Sequence, residues 1–337
     1  MMAMMEARSL PSRIVLLVLL PATLLLQFCR RSSHLFRHTS RLRTLKPEVP
    51  RDQPFPISIP YYASATELPA KLPTTRDIER ARVVLSERLT AKVVTVGPHF
   101  VVKYGEGVDP EEGRMMLFVQ QHAKVPVPRV YAIYHDCGKN FIVMERVDGQ
   151  TLHASWPTLT PPEKKLVANH LKECLFRMRA IQSPNGYCSL DDRPLRDALF
   201  WSGHADEPLS RRGPFATESE LNSAIVKKCR TMKAIEGKAG FYQDSLPLVF
   251  RDHPPTLTHG DLQPKNVMIK AKPKTGIEIV LLDWECAGWY PSYWEYAQAI
   301  MACGWFEDDW HHWVGKFLDP YPNEYAWLLM LENEIGW

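Results

Sequence analysis

His259-Gly260-Asp261-Leu262-Gln263-Pro264-Lys265-Asn266, answered 17 residues after Asn266 by Asp283-Trp284-Glu285, is the stretch that decides the fold of this 337-residue chain. Two short runs rich in β-branched residues lie between, 266–270 and 278–282, joined by a polar turn at 271–276. They predict a hairpin that brings Asn266 and Asp283 together. A further strand is predicted at 256–258, just ahead of His259, and Pro264 stiffens the loop. An Asp on a loop, an amide oxygen five residues on and an Asp closing the next strand form a recognisable chemical set. The first suits proton acceptance from a hydroxyl, and the other two suit a hard cation held against phosphates. Either piece alone reads as turn chemistry, because Asp and Asn are common in turns. In this order, between strands, they read as a site.

Upstream, Ile78, Ala81, Val84, Leu85 and Leu89 fall at helical spacing and predict a helix from Thr74 onward. Runs 93–96 and 100–104 predict a hairpin turning at Gly97-Pro98, and 130–134 and 140–147 a second one turning at Cys137-Gly138. Between them, Asp109-Pro110-Glu111-Glu112 reads as a helix start. Alternation puts Lys103 on the same side of its strand as Val101. Glu112 shares a helical face with Met116, Val119 and Ala123, so it is the chosen carboxylate partner of Lys103, with Glu111 as the fallback. After Gly149 the texture is helical. Thr160-Pro161-Pro162-Glu163 forms a capping box ahead of Val167, Leu171, Cys174, Met178 and Ile181, Thr217 opens another helix, and the chain is aromatic and helical from Tyr293. Strands first and helices after make an α+β order.

The HGD…N and DWE segments resemble the catalytic loop and metal-binding segment of the aminoglycoside phosphotransferase and choline kinase-like family, in tone its fungal branch. The resemblance covers roughly 75–335, loosely over 183–255. It implies a two-lobed protein kinase-like fold, with a β-rich N-lobe at 74–147 and a larger helical C-lobe at 148–337. It implies ATP and Mg²⁺ as cofactors, Asp261 as catalytic base and Asn266 and Asp283 as metal ligands, with His259 bracing the loop. Lys103 and Glu112 would address the phosphates, and backbone groups at Glu145 and Val147 would bind adenine. The implied activity is transfer of phosphate to a hydroxyl of a small molecule. A choline- or ethanolamine-type kinase and a nucleotide-binding pseudokinase are the alternatives. The chain departs from the kinase pattern in having no GxGxxG before Lys103 and no HRD, DFG or APE segment.

Ten acids and one Lys follow from Asp283 to the end, an acidic wall suited to a cationic acceptor or simply a solvated helix face. Trp289, Tyr290, Trp294, Trp305, Trp310 and Trp313 read as core, and His311-His312 as surface.

The net charge of +3 is unevenly placed, with eight Lys/Arg against two acids in 1–50 and a net of −3 over the rest. A body of that sign does not displace counterions from nucleic acid. Seven scattered cysteines without a CxxC pair argue against a disulfide framework or zinc site and for reduced thiols in a cytosol-facing domain. The apolar run 14–28 has 15 residues, fewer than the roughly 20 of a spanning helix. Basic residues flank it, the heavier flank after it, so a short membrane anchor that leaves the rest of the chain in the cytosol is the leading reading, ahead of a mitochondrial presequence, while a signal peptide lacks a clear small-x-small cleavage site. Seven prolines in 46–73 predict a linker (51–73) or an extended arm.

Overall fold

The computed structural model describes residues 55–336 apart from 201–211, 234, 273–275 and 305. The chain divides into a unit 1–45 and a unit 46–337, and the description concerns the second. The apolar run 14–28, Cys29 and Trp305 lie outside the described residues. Among the described residues no helix is long and apolar enough to cross a membrane.

The architecture is the two-lobed α+β one of the kinase-like kind. The first lobe runs β1 (Tyr61–Tyr62), α1 (Thr75–Glu79), β2 (Val83–Glu87), β3 (Lys92–Val96), β4 (Phe100–Gly105), α2 (Glu111–His122), β5 (Val130–Asp136) and β6 (Lys139–Glu145). Its strands form one antiparallel sheet in the order β1-β5-β6-β4-β3-β2. The second lobe runs β7 (Gln150–Thr151), α3 (Leu152–Ser155), α4 (Pro161–Arg179), α5 (Glu218–Thr231), α6 (Ala239–Val249), β8 (Pro255–Thr258), β9 (Val267–Lys272), β10 (Gly276–Leu281), β11 (Gly288–Pro291), α7 (Trp294–Met301), α8 (Trp310–Phe317) and α9 (Pro322–Ile335).

One expectation is corrected. The helix from Thr74 stops at Glu79, and 83–87 is a strand. Val84, Leu85 and Leu89 stay exposed, so no face existed for a helix to bury, while the β-branched Val83-Val84 pair with Thr95 and Val94 of β3. The described part of the proline-rich stretch, read as a linker or an extended arm, lies against the first lobe. Tyr61 and Tyr62 add an edge strand against Ile133 and Ala132. Phe55 is buried in the core, its N–H donates to Asp191 Oδ1 at 2.7 Å, and the Arg114 guanidinium donates to the carbonyls of Ile57 at 2.7 Å and Phe55 at 3.0 Å. Prolines leave fewer backbone donors to satisfy, and side chains of the folded lobe supply the missing partners.

Other elements follow the sequence closely. Cys137 and Gly138 both have positive φ at the β5–β6 turn, the conformation that matches hairpin twist. The Thr160 capping box is formed, and Val167, Leu171, Cys174, Met178 and Ile181 are all buried. One core fills the space between sheet, α2, α4 and the β9–β10 hairpin. A second lies among α5, α6, α7 and α9, where Tyr290 and Trp294 are buried. Trp289 and Trp310 are buried in the first, and Trp313 packs against it.

Candidate active site

The catalytic-loop candidate hangs between β8 and β9. Gly260 has φ +83, and a Cβ there would lie 2.5 Å from the Cys286 carbonyl oxygen, so only glycine fits the approach. The buried Glu295 on α7 accepts from the N–H of His259 at 2.6 Å and of Gly260 at 3.4 Å. Burial raises the pKa of this carboxyl, opposed by the nearby His259. The His259 ring spans the two halves of the site. Its Nε2 faces the Leu282 carbonyl at 2.9 Å, and its Nδ1 faces the Asp261 N–H at 3.3 Å. A carbonyl only accepts and a backbone N–H only donates, so the Nε2–H tautomer satisfies both. Asp261 is held from its own loop: Asn266 Nδ2 donates to its Oδ2 at 2.8 Å and to its backbone oxygen at 2.9 Å, and Gln263 Nε2 donates to its Oδ1.

Asn266 and Asp283 are brought together as the hairpin reading expects. Val267 pairs with Leu281, and the Leu282 N–H donates to the Asn266 carbonyl at 2.8 Å. Both Asn266 hydrogen bonds to Asp261 use the amide nitrogen, which leaves Oδ1 for another partner. Asp283 has φ +63, a left-handed conformation that costs a non-glycine residue about 1 kcal/mol or more and that Asp tolerates better than most.

On the opposite wall stands Lys103, placed by β4 between Val93 and Ile142. Gly113 lets α2 lie close beneath, since a Cβ there would sit 2.7 Å from Ile133 Cδ1. Glu112 thereby reaches Lys103 Nζ at 2.7 Å, while Glu111 turns away to Arg114 at 2.7 Å. Asp283 Oδ1 at 2.8 Å and Glu285 Oε2 at 2.9 Å complete the shell of the ammonium. Burial disfavours the Lys103 charge, but the three carboxylates outweigh it and hold its pKa well above the ordinary value. Burial pushes Glu112 up to about 7, against the pull of Lys103. For Asp283 burial also pushes upward, but Lys103 reverses it and the net shift is down. Glu112, Asp283 and Glu285 are the group of acids among the described residues close enough to share a metal ion, their ligand atoms within 4.8 Å of one another. The Lys103 ammonium binds all three.

Lys103, Glu112, Asn266 and Asp283 line a cleft of about 620 Å³ between the lobes. Val93 and Val101 enter it from the first lobe, Met268 and Leu282 from the second, and Met144 with 145–149 closes one side. Along that side the N–H groups of Glu145 and Arg146 are used by Arg129 and His99 at 2.8 Å each, whereas the N–H of Val147 has no protein partner among the described residues. Gly149 makes the crossing to β9, where a Cβ would lie 2.2 Å from the Ile269 oxygen.

Sequence reasoning missed three participants. Glu285 and Glu295 were only two acids among ten, and Arg88 sat in a stretch read as helix. The ten acids form no single wall. Glu295 caps the loop, Asp309 accepts from Lys164, Trp156 and Trp313, and Glu334 pairs with Lys238 and Tyr242. Asp309 is held down to about 2 by those donors, against a smaller opposing effect of burial than their sum. The rings of His311 and His312 lie tilted with centroids 3.9 Å apart, and His312 is exposed.

Among solved structures, the chain resembles the GDP complex of aminoglycoside 2′-phosphotransferase-IIIa, with 16% identity, a TM-score of 0.49 and coverage of 74% of this chain and 80% of that one. It resembles aminoglycoside-3′-phosphotransferase of type VIII at 18% identity and a TM-score of 0.48, covering 74% and 92%. It also resembles a thermostable mutant of aminoglycoside phosphotransferase APH(4)-Ia in a ternary complex with ADP and hygromycin B, at 18% and 0.47, covering 75% and 84%. Likenesses of that strength carry no inference about substrate. No curated protein matches the sequence significantly. The sequence model of the phosphotransferase enzyme family matches residues 86–331, which run from the end of β2 into α9 and contain every group of the cleft named above. The chain belongs to the phosphotransferase enzyme family.

Proposed function

We propose that the protein transfers the γ-phosphate of ATP to a hydroxyl group of a small molecule. The observation that carries this reading is that Asn266 bonds Asp261 and pairs with Leu282, next to Asp283, while Lys103 holds Asp283 from across the cleft. Adenine would lie between the valines of the first lobe and Met268 and Leu282, reading the backbone at Glu145 and Val147. Lys103, steadied by Glu112, would meet the phosphates. Asn266 Oδ1 and the Asp283 carboxylate are hard oxygen donors that fit Mg²⁺, which when bound would offset phosphate charge. Asp261, its two oxygens aimed by Asn266 and Gln263, would take the proton of the attacking hydroxyl. The hydroxyl oxygen bonds to the γ-phosphorus, the bond to the bridging oxygen breaks, and its electron pair leaves with ADP.

Calorimetric titration with Mg²⁺ and a non-hydrolysable ATP analogue tests the first half. A screen of hydroxylated small molecules, amino-bearing ones included, for ATP-dependent gain of one phosphoryl group tests the second. Binding together with such a product is the expected result. A protein that binds no nucleotide contradicts the proposal.

A further inference from the structure

We infer that Arg88 is the residue that grips the terminal phosphate of the bound nucleotide, from a flap fixed in place rather than one made pliable by glycine. The inference rests on the proposed function and goes beyond it. The flap is the β2–β3 connection, a turn closed by the Arg88 N–H donating to the Ala91 carbonyl at 2.8 Å. Its residues are Arg88-Leu89-Thr90-Ala91, without glycine. The glycines lie in the chain beneath it. The Gly107 N–H donates to the Thr90 carbonyl at 2.9 Å, and Cβ atoms on Gly105 and Gly107 would lie 2.2 Å and 2.1 Å from Thr90 oxygens. Glycines at 105 and 107 therefore let the flap tip sit down on the end of β4, and the tip is held there. A fixed tip contacts phosphate through a long side chain rather than through its backbone.

Arg88 lines the cleft, and its Nη1 lies 3.2 Å from Glu285 Oε1. Its pKa is raised, first by Glu285 and further by Asp283 and Asp261. Two cations of the cleft, Lys103 and Arg88, differ in how firmly they are held. Lys103 and Glu112 are 11% and 3% exposed, whereas Arg88 and Glu285 are 63% and 29% exposed. A solvated pair of that kind is weak and exchangeable. An arriving phosphate carries more charge than a carboxylate and accepts two parallel guanidinium bonds, so Arg88 exchanges Glu285 for it.

The test compares Arg88→Gln and Arg88→Lys with the wild type in the full chain, titrating Mg²⁺ with AMP-PNP, then ADP, then adenosine. Loss of a charge-assisted contact to the terminal phosphate is expected to weaken AMP-PNP binding about tenfold in Arg88→Gln. ADP is expected to lose less and adenosine nothing, with partial recovery in Arg88→Lys. An unchanged AMP-PNP to ADP affinity ratio, or equal weakening of all three ligands, overturns the inference while leaving the proposed function standing. A wild type that binds none of them overturns the proposed function itself.

Discussion

The imidazole of His259 donates from Nε2 to the carbonyl of Leu282 at 2.9 Å, and this bond ties the loop of Asp261 to the segment that carries Asp283. The ring also packs on Trp284 with centroids 4.6 Å apart. His259→Phe keeps the aromatic contact and removes both ring hydrogen bonds. It is expected to cost about 1–3 kcal/mol of stability, as buried partners left unsatisfied do. Phosphoryl transfer is expected to fall while adenosine affinity holds, because the adenine slot does not depend on the ring. Chemical unfolding and calorimetry check both halves.

The pH dependence of stability follows from Glu112. Burial lifts its folded-state pKa to about 7 from an ordinary 4.5. A raised pKa means that the protonated carboxyl favours the fold. That contribution is full below about pH 4.5 and is lost as pH rises through about 7. Glu112→Gln fixes the side chain uncharged, so the stability of the variant relative to wild type is expected to rise across this window and level off above it. Unfolding curves at a series of pH values measure the difference. A relative stability that falls with pH would mean that attraction to Lys103 outweighs burial.

Gly260 is required by its surroundings. Gly260→Ala places a Cβ 2.5 Å from the Cys286 oxygen at a φ of +83. The conformation alone costs about 1 kcal/mol or more, and the collision adds displacement of the loop. The variant is expected to melt lower and to lose turnover more than nucleotide affinity. Gly237, whose Cβ would meet nothing within 4 Å, is the control, and Gly237→Ala is expected to change neither.

What the sequence made legible is what short-range patterns encode. The β9–β10 hairpin, the strand of Lys103 and the capped helices α4 and α5 each carry their signal within a few residues. The pair Lys103–Glu112 was readable because alternation and helical spacing each give a facing direction. Arg88 and its strand were lost because Val84, Leu85 and Leu89 satisfy a helical period by accident, and nothing local reports that 83–87 finds hydrogen-bond partners in β3. Glu295 was lost for a different reason. It lies 36 residues from His259, and no residue type marks a carboxylate that will be buried to cap two backbone N–H groups. The arm at 55–62 followed the same logic, since its ordering depends on Arg114 and Asp191, 59 and 136 residues away.

The account turns on Asp261 as the group that receives the proton of the acceptor hydroxyl. Asp261→Asn preserves the shape of the side chain and removes its basicity. In single-turnover assays with Mg²⁺, ATP and an acceptor found by the screen, the variant is expected to lose about 10²–10⁴-fold in phosphoryl transfer. Its affinity for an ATP analogue is expected to stay within about twofold of wild type, since Asp261 makes no part of the adenine slot. Transfer at the wild-type rate would contradict the account.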